Sequence, residues 1–269
     1  MSFSADWLSL REPADRAARD PALLAAAARA AISAAGGGTP VIVDLGCGTG
    51  ATARAFAAHL PEARWRLVDA DAALLDIATA RTGGSGHRLN LADLDVLPLA
   101  GAHLVTASAL LDLMPGEWIA GLVSRLASRR LGFYAALSYD GVMEWTPPDT
   151  DDVAVTAAFN AHQRSDKGVG AALGPEAAAV AAGAFRQAGF DAHLAESPWR
   201  LGPDQTALHG ELVDAIADAA AESGCAAAGR WRQARRAAVA YSSAVIGHRD
   251  LLALPGDTSQ SNRMSEPSP

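Results

Sequence analysis

Lysine is nearly missing from this 269-residue chain: of its 22 Lys and Arg residues only Lys167 is a lysine. Cysteine is scarce too, at two residues, Cys47 and Cys225, too few for a disulfide framework. The N-terminus shows no basic start, apolar stretch and small-residue cleavage site, so a reduced, cytoplasmic protein without disulfides is expected. No uncharged apolar run reaches the roughly eighteen residues of a membrane-spanning helix, and none is expected. Positive charge is also in deficit: 30 acidic residues give a formal net charge of −8. That balance argues against a surface built to grip phosphate backbones and leaves small or cationic partners open. Apolar residues, in contrast, make up 50% of the chain, with alanine alone almost a quarter, so a sizeable core can be buried and a disordered chain is excluded.

Short β-rich runs alternate with longer helical ones from Val41 onward, the pattern of a parallel sheet covered by helices. Before it, Asp20-Pro21 opens a helix over residues 22–35, preceded by a shorter helical or turn segment at 6–13. Strands are expected at 41–45, 65–68, 88–91, 104–108 and 131–138. Helices are expected at 49–60, 71–81 with Asp71 as N-cap, and 115–130. Residues 83–86, Gly-Gly-Ser-Gly, read as a turn. Beyond 138 the alternation breaks into an irregular excursion, 140–172, around a helix at 152–163. A helix at 175–188, a strand at 191–195, helices at 203–221 and 226–241 and a last apolar run at 244–254 follow. The tail from Gly256 is polar and expected to be disordered.

The informative segment is Val41-Ile42-Val43-Asp44-Leu45-Gly46-Cys47-Gly48-Thr49-Gly50, a buried strand running into a glycine-rich turn and a helix. Such a turn lets backbone approach a ligand where a Cβ would clash. Gly46, Gly48 and Ala51 also satisfy the dinucleotide fingerprint, so nicotinamide binding has to be weighed. The added features are Asp44 before the turn and the third glycine, Gly50.

This segment resembles motif I of the class I S-adenosylmethionine-dependent methyltransferases, an acidic residue followed by Gly-x-Gly-x-Gly. The second strand ends in Leu67-Val68-Asp69-Ala70-Asp71, and a carboxylate at that tip suits two ribose hydroxyls. The resemblance gives that role to Asp69, while Asp71 next door remains a competing partner. Ala92-Asp93-Leu94-Asp95-Val96-Leu97-Pro98-Leu99 is similar to the family's Gly-Asp-x-x-x-Leu-Pro stretch, which puts Asp93 at the adenine amino group; Ala92 replaces the common glycine, and Asp95 competes. The likeness covers residues 36–140. It implies a cofactor site made of Asp44, the turn Gly46, Cys47, Gly48, Thr49 and Gly50, then Asp69 with Ala70, Asp93 with Leu94, and Ser108. In the N-terminal segment, a lid by the same resemblance, Arg19 or Arg11 would meet the cofactor carboxylate.

Methyl transfer is an in-line displacement, so the catalyst mainly aligns the acceptor, which alone can lower a barrier by roughly 7 to 11 kcal/mol. A base is needed only for a poorly ionised hydroxyl or ammonium. Candidates on the acceptor side are Asp112 after the fourth strand, Tyr139 after the fifth, and His162 and Lys167 in the polar stretch 159–170. In a composition that otherwise writes every cation as arginine, Lys167 suggests a site requiring a compact ammonium. No metal ion is called for.

The expected architecture is a doubly wound, mostly parallel seven-stranded sheet in one domain, 1–255, with a tail at 256–269. Residues 1–38 form a helical cap and 39–140 the cofactor-binding half. Segments 141–173 and 203–241 form the acceptor lid, and the last strand, 244–254, is antiparallel. The expected activity is methyl transfer to an O or N atom of a small metabolite. RNA or protein methylation and a non-catalytic cofactor-binding scaffold stand as alternatives. A short-chain oxidoreductase fits poorly, since its Tyr-x-x-x-Lys pair would put tyrosine where Gln163 stands.

Overall fold

In a computed structural model, which describes residues 3–256, helices α1 (Ala5–Ala18) and α2 (Pro21–Ala34) precede the sheet. Asp20 caps α2 by accepting from the Leu23 amide at 2.7 Å, with Pro21 in the first turn where no N–H is missed. The first half then runs β1 (Val41–Leu45), α3 (Ala51–Phe56), β2 (Arg64–Asp69), α4 (Ala72–Thr82), β3 (Ser85–Arg88), β4 (Leu104–Ser108), α5 (Gly116–Ser128) and β5 (Gly132–Thr146). The second half adds α6 (Asp152–Gln163), α7 (Ala177–Gln187), β6 (Phe190–Glu196), β7 (Trp199–Leu201), α8 (Thr206–Glu222), α9 (Ala228–Ala238) and β8 (Ser243–Pro255).

The strand order is β3-β2-β1-β4-β5-β8-β6, parallel from β3 to β5, with β8 antiparallel to both β5 and β6. Seven sheet positions were expected and eight strands are found. The difference is at the edge, where β6 pairs the C-terminal half of β8 and β7 the N-terminal half, the two separated by Ser197-Pro198. Proline has no amide for the ladder, and the chain breaks there.

Successive strand residues go to opposite faces, so each central strand feeds two cores. Val43, Val68, Val105, Phe133 and Leu251 pack with α5 and α7, whereas Ile42, Leu67, Leu104, Tyr134 and Leu252 pack with α2, α3 and α4. Alanine dominates the inner stripe of α2, Ala27, Ala28 and Ala31, which brings that helix close to the sheet. A third cluster joins Trp145, Trp199 and Ile246 to Val155 of α6, Val213 and Ile216 of α8, Trp231 of α9 and Ala14 of α1. A buried ion pair fastens it: Arg235 meets Asp152, which also accepts from Trp231 Nε1 at 2.8 Å.

Several boundaries differ from expectation, among them the helix at 49–60, which shortens to Ala51–Phe56. Segment 6–13 belongs to a full helix, α1, despite Pro13 inside it. Strand β3 begins at Ser85, inside the supposed Gly-Gly-Ser-Gly turn, because Ser85 and Gly86 pair with Arg66 and Leu67. Strand β5 runs to Thr146 rather than stopping at 138. Its register shifts against β8 around Ala135/Ser138 and Tyr139/Met143 accommodate residues that do not read as strand. The expected disordered tail lies outside the described residues apart from Gly256. Among the described residues no helix is long and apolar enough to cross a membrane, and Cys47 and Cys225 are both free thiols.

Candidate functional site

A cavity of about 780 Å³ opens at the carboxyl ends of β1, β2 and β4, between α1 and the segment 167–169. That is the edge at which open α/β sheets bind ligands, and the size suits a small-molecule site.

The glycine turn forms its floor. Gly46, Gly48 and Gly50 have φ of +63°, +52° and +83°, the left-handed region that side chains rarely adopt. A Cβ on Gly50 would come 2.9 Å from Thr82 Cγ2, and one on Gly48 3.0 Å from Leu8 Cδ1, so α4 and α1 press on the turn. Gly46, Cys47, Gly48 and Thr49 line the cavity, whereas Gly50 does not, serving as the residue before α3. Burial pushes the Cys47 thiol well up, which leaves it un-ionised and unreactive.

Asp69 stands where the resemblance placed it, in the cavity wall beside Ala70. Its Oδ2 accepts from the Gly48 amide at 2.9 Å and its Oδ1 from the Asp71 amide at 3.0 Å. The carboxylate is thereby oriented while each oxygen keeps a lone pair for a further donor. Asp71 also reaches the wall, but its Oδ1 caps α4, accepting from the Ala73 and Leu74 amides at 2.9 and 3.3 Å. The geometry therefore separates two carboxylates that the sequence left in competition.

Asp44 lies fully buried behind the turn. Thr106 Oγ1 donates to its Oδ1 at 2.7 Å, and Oδ2 has no hydrogen-bond partner. Burial pushes the carboxyl up to about 7 against the opposing pull of the Thr106 hydroxyl, the Arg19 charge and Thr52. Arg19 is buried as well, donating from Nη2 to Ser108 Oγ at 2.9 Å, and its Nη1 has no partner. Neither side chain lines the cavity, whereas Ser108 does, so Arg19 reaches the space through Ser108. Arg11, the other arginine considered, is in the wall itself. It is paired with Asp15 through two bonds of 2.9 and 3.1 Å and lies over the Trp199 ring at 4.9 Å.

The Asp93 expectation needs correcting. Asp93 is exposed, caps the 3-10 turn at Leu94–Val96 by accepting from the Asp95 amide at 3.0 Å, and is not in the cavity wall. Leu94 is a core residue instead, and Asp95 pairs with Arg125. Because β3 ends at Arg88 rather than Leu91, the residues next to its tip are Asn90 and Leu91, and these line the cavity.

Of the four acceptor-side candidates only Lys167 lines the cavity, with Gly168, Val169, Leu113 and Met114 around it. Its Nζ donates to His162 O at 2.9 Å and Ser165 Oγ at 3.1 Å and lies 3.3 Å from His162 Nδ1. Burial pulls the ammonium below the ordinary lysine value, opposed by the Glu222 and Asp112 carboxylates. His162 stands behind it, Nε2 3.0 Å from Glu222 Oε2. Asp112 is buried with Oδ1 unpartnered, and burial pushes it up to about 6 against the pull of its own and Tyr139's backbone amides and of Arg11 and Lys167. The Tyr139 hydroxyl is engaged away from the cavity, donating to Asn160 Oδ1 at 2.7 Å, and burial with Asp140 and Asp112 nearby holds its proton firmly. No residue of 203–241 is in the wall; α8 supports it from behind through Glu222.

This sheet order, with an antiparallel strand inserted next to the edge and a glycine turn after β1, is the class I methyltransferase fold. Residues 42–129 match the family model described as methyltransferase domain. None of the curated proteins compared matches it. Among solved structures, a putative type II methyltransferase from Anaeromyxobacter dehalogenans shares the fold with a TM-score of 0.53 at 19% identity, covering 88% of this chain and 97% of that one. An O-methyltransferase family protein from Burkholderia thailandensis (TM-score 0.45, 11% identity, 81% of this chain) and human N-acetylserotonin methyltransferase in complex with SAM (0.44, 15%, 93%) are more distant. The chain spans about half of each of those two, 52%.

The residues present fit S-adenosylmethionine. Asp69 offers oriented acceptors to a ribose, Leu74, Leu91 and Asn90 supply a mostly apolar slot for a base, and the turn admits close backbone approach. Buried Asp44 and Arg19, each with an unpartnered atom, put a carboxyl and a guanidinium behind the turn, and an ammonium from the cofactor's tail would draw that carboxyl toward its ionised form.

Proposed function

We propose that this protein transfers the methyl group of S-adenosylmethionine to an oxygen or nitrogen of a small acceptor bound in the same cavity. The observation that carries this is the continuity of one space from Asp69 and the glycine turn to Met114, Lys167 and Val169. The bound cofactor supplies an electrophilic methyl on a sulfonium. The chain's own residues do the rest. Asp69 holds the ribose, oriented by the Gly48 and Asp71 amides. Ser108, backed by Arg19, and the turn, backed by Asp44, set the tail. Leu8 and Phe3 cover the space from the N-terminal side while Leu113, Met114 and Val169 wall the acceptor end, which limits water there and keeps the acceptor aligned. Segment 141–173 contributes to the lid through residues 167–169, and helices α8 and α9 brace it.

A small acceptor is supported by the enclosure under α1 and by the net charge of −8, which disfavours a nucleic-acid backbone. Transfer of isotope-labelled methyl groups tests this against pools of small hydroxyl and amine compounds, total RNA and unfolded protein. Label is expected in the small-molecule pool. Label confined to RNA or protein would replace this reading with the alternative.

A further inference from the structure

Three side chains run in line from the cavity wall to solvent: Lys167 Nζ, then His162 Nδ1 at 3.3 Å, then from the far side of that ring Nε2 to Glu222 Oε2 at 3.0 Å. Each link comes from a different element, the 164–171 segment, α6 and α8. The outermost carboxylate is 69% exposed, and the imidazole 21%. One tautomer satisfies the whole line: Nδ1 accepts from Lys167 while Nε2–H donates to Glu222.

Resting on the methyl-transfer reading, we propose that Lys167, His162 and Glu222 form a proton exit path, Lys167 being the base that meets the acceptor and Glu222 the point of discharge to water. The acceptor class follows: a hydroxyl or an ammonium that keeps its proton at neutral pH, because an acceptor already ionised needs no exit path.

The bookkeeping closes. As the acceptor's electron pair takes the methyl carbon, the sulfur keeps the electrons of the broken C–S bond and the acceptor proton passes to the Nζ lone pair. The lysine ammonium gives a proton to Nδ1, the ring releases its Nε2 proton to Glu222, the carboxyl loses it to solvent, and exchange of the partly exposed ring with water restores the Nε2–H tautomer for the next cycle. One proton leaves for each methyl transferred. The acceptor takes the place of Ser165 Oγ, at 3.1 Å, while the bond to His162 O, at 2.9 Å, holds the amine in position.

The lysine itself argues for this use. A guanidinium does not give up a proton in proteins, so a composition with arginine at every other basic position must switch to lysine where the cation has to become a free amine. The groups facing Nζ are His162 from α6, Ser165 from its own segment, Glu222 from α8 and Asp112 from the turn after β4. The partial burial of Nζ outweighs both carboxylates and lowers the value of the ammonium.

Because the chain has one lysine, protein grown on side-chain-labelled lysine gives one Nζ signal by NMR. The expected titration midpoint lies below the ordinary lysine value of about 10.4. With S-adenosylhomocysteine added, exchange of Nζ protons with water is expected to slow about tenfold in Glu222→Gln and in His162→Gln, since the path outward is cut. A purely structural clasp predicts the reverse, faster exchange in both variants, because the ammonium loses protecting neighbours. An ordinary midpoint, or faster or unchanged exchange, overturns the path. Calorimetry of the same sample with S-adenosylhomocysteine separates failure of the cofactor reading from failure of the path, and the ligand-free titration judges Lys167 in either case.

Discussion

Substituting Asp44 by asparagine tests whether the buried carboxyl behind the glycine turn carries a proton. In the folded chain burial holds its value at about 7, whereas in the unfolded chain it returns to its ordinary 3.8. Between those values the folded state binds a proton that the unfolded state has lost, so this group's contribution falls as pH rises. It is most favourable below 3.8 and reaches its full penalty above 7. At about 1.36 kcal/mol per unit, the full penalty is about 4 kcal/mol, of which about 2 to 3 kcal/mol develops between pH 5 and pH 8. Asparagine cannot titrate. The attraction of Arg19 for the ionised carboxylate is already contained in the value of about 7, so the change in the difference between the two proteins from pH 5 to pH 8 reports the proton. Urea denaturation of both proteins at pH 5 and pH 8, followed by circular dichroism, gives four free energies. The variant should gain about 2 to 3 kcal/mol relative to the parent on going to pH 8. An equal gap at both pH values would refute the burial argument and leave Asp44 ionised throughout.

His248 should behave in the opposite sense. Burial and the Arg11 charge pull it down to about 3, so the fold keeps it neutral while the unfolded chain takes up a proton below the usual histidine value. Stability is then lost as pH falls, by about 3 kcal/mol between pH 6.5 and 4, and His248→Phe should remove that loss in the same denaturation assay. Trp199→Phe deletes the 2.9 Å bond from Nε1 to Asp15 that ties α1 to β7. A loss of about 1 to 3 kcal/mol in urea unfolding is expected, the cost of a charged acceptor left short of a donor. Arg235→Met should cost more, about 3 to 5 kcal/mol, because it strands the Asp152 carboxylate in the core under α8 and α9. A thermal melt within a degree of the parent would show that this pair does not hold the cluster.

Much of the architecture was legible because local and tertiary preferences agree. The β-branched run at 41–45, the strand at 104–108 and the helix at 152–163 fall where they were expected. Where they disagree the sequence misleads. Ser85 and Gly86 look like a turn, yet pairing with β2 makes them strand, so that Asn90 and Leu91 line the cavity where Asp93 was expected. Spacing along the chain picked out residues that the fold gathers at one cavity: the glycine turn, Asp69 and the solitary Lys167, with Asp44 behind the turn. It was not legible where the partner is remote. Thr106 on Asp44 is 62 positions away, Glu222 on His162 is 60, and Trp199 on Asp15 is 184, and nothing in a linear pattern announces such pairs. Tyr139 and Asp112 were sensible expectations from their place after strands. Register shifts in β5 and the tight 3-10 turn at Leu111–Leu113 carry their polar atoms behind the wall instead.

The central claim is that the cavity at the carboxyl ends of β1, β2 and β4 binds S-adenosylmethionine through Asp69. Isothermal titration of S-adenosylhomocysteine into the parent protein and into Asp69→Asn tests it most directly. The account predicts one site per chain in the parent and at least about tenfold weaker binding in the variant, the effect of losing a charged hydrogen-bond acceptor worth about 1.5 to 3 kcal/mol. Equal affinity for both proteins would contradict the role of Asp69, and no binding by the parent would contradict the account as a whole.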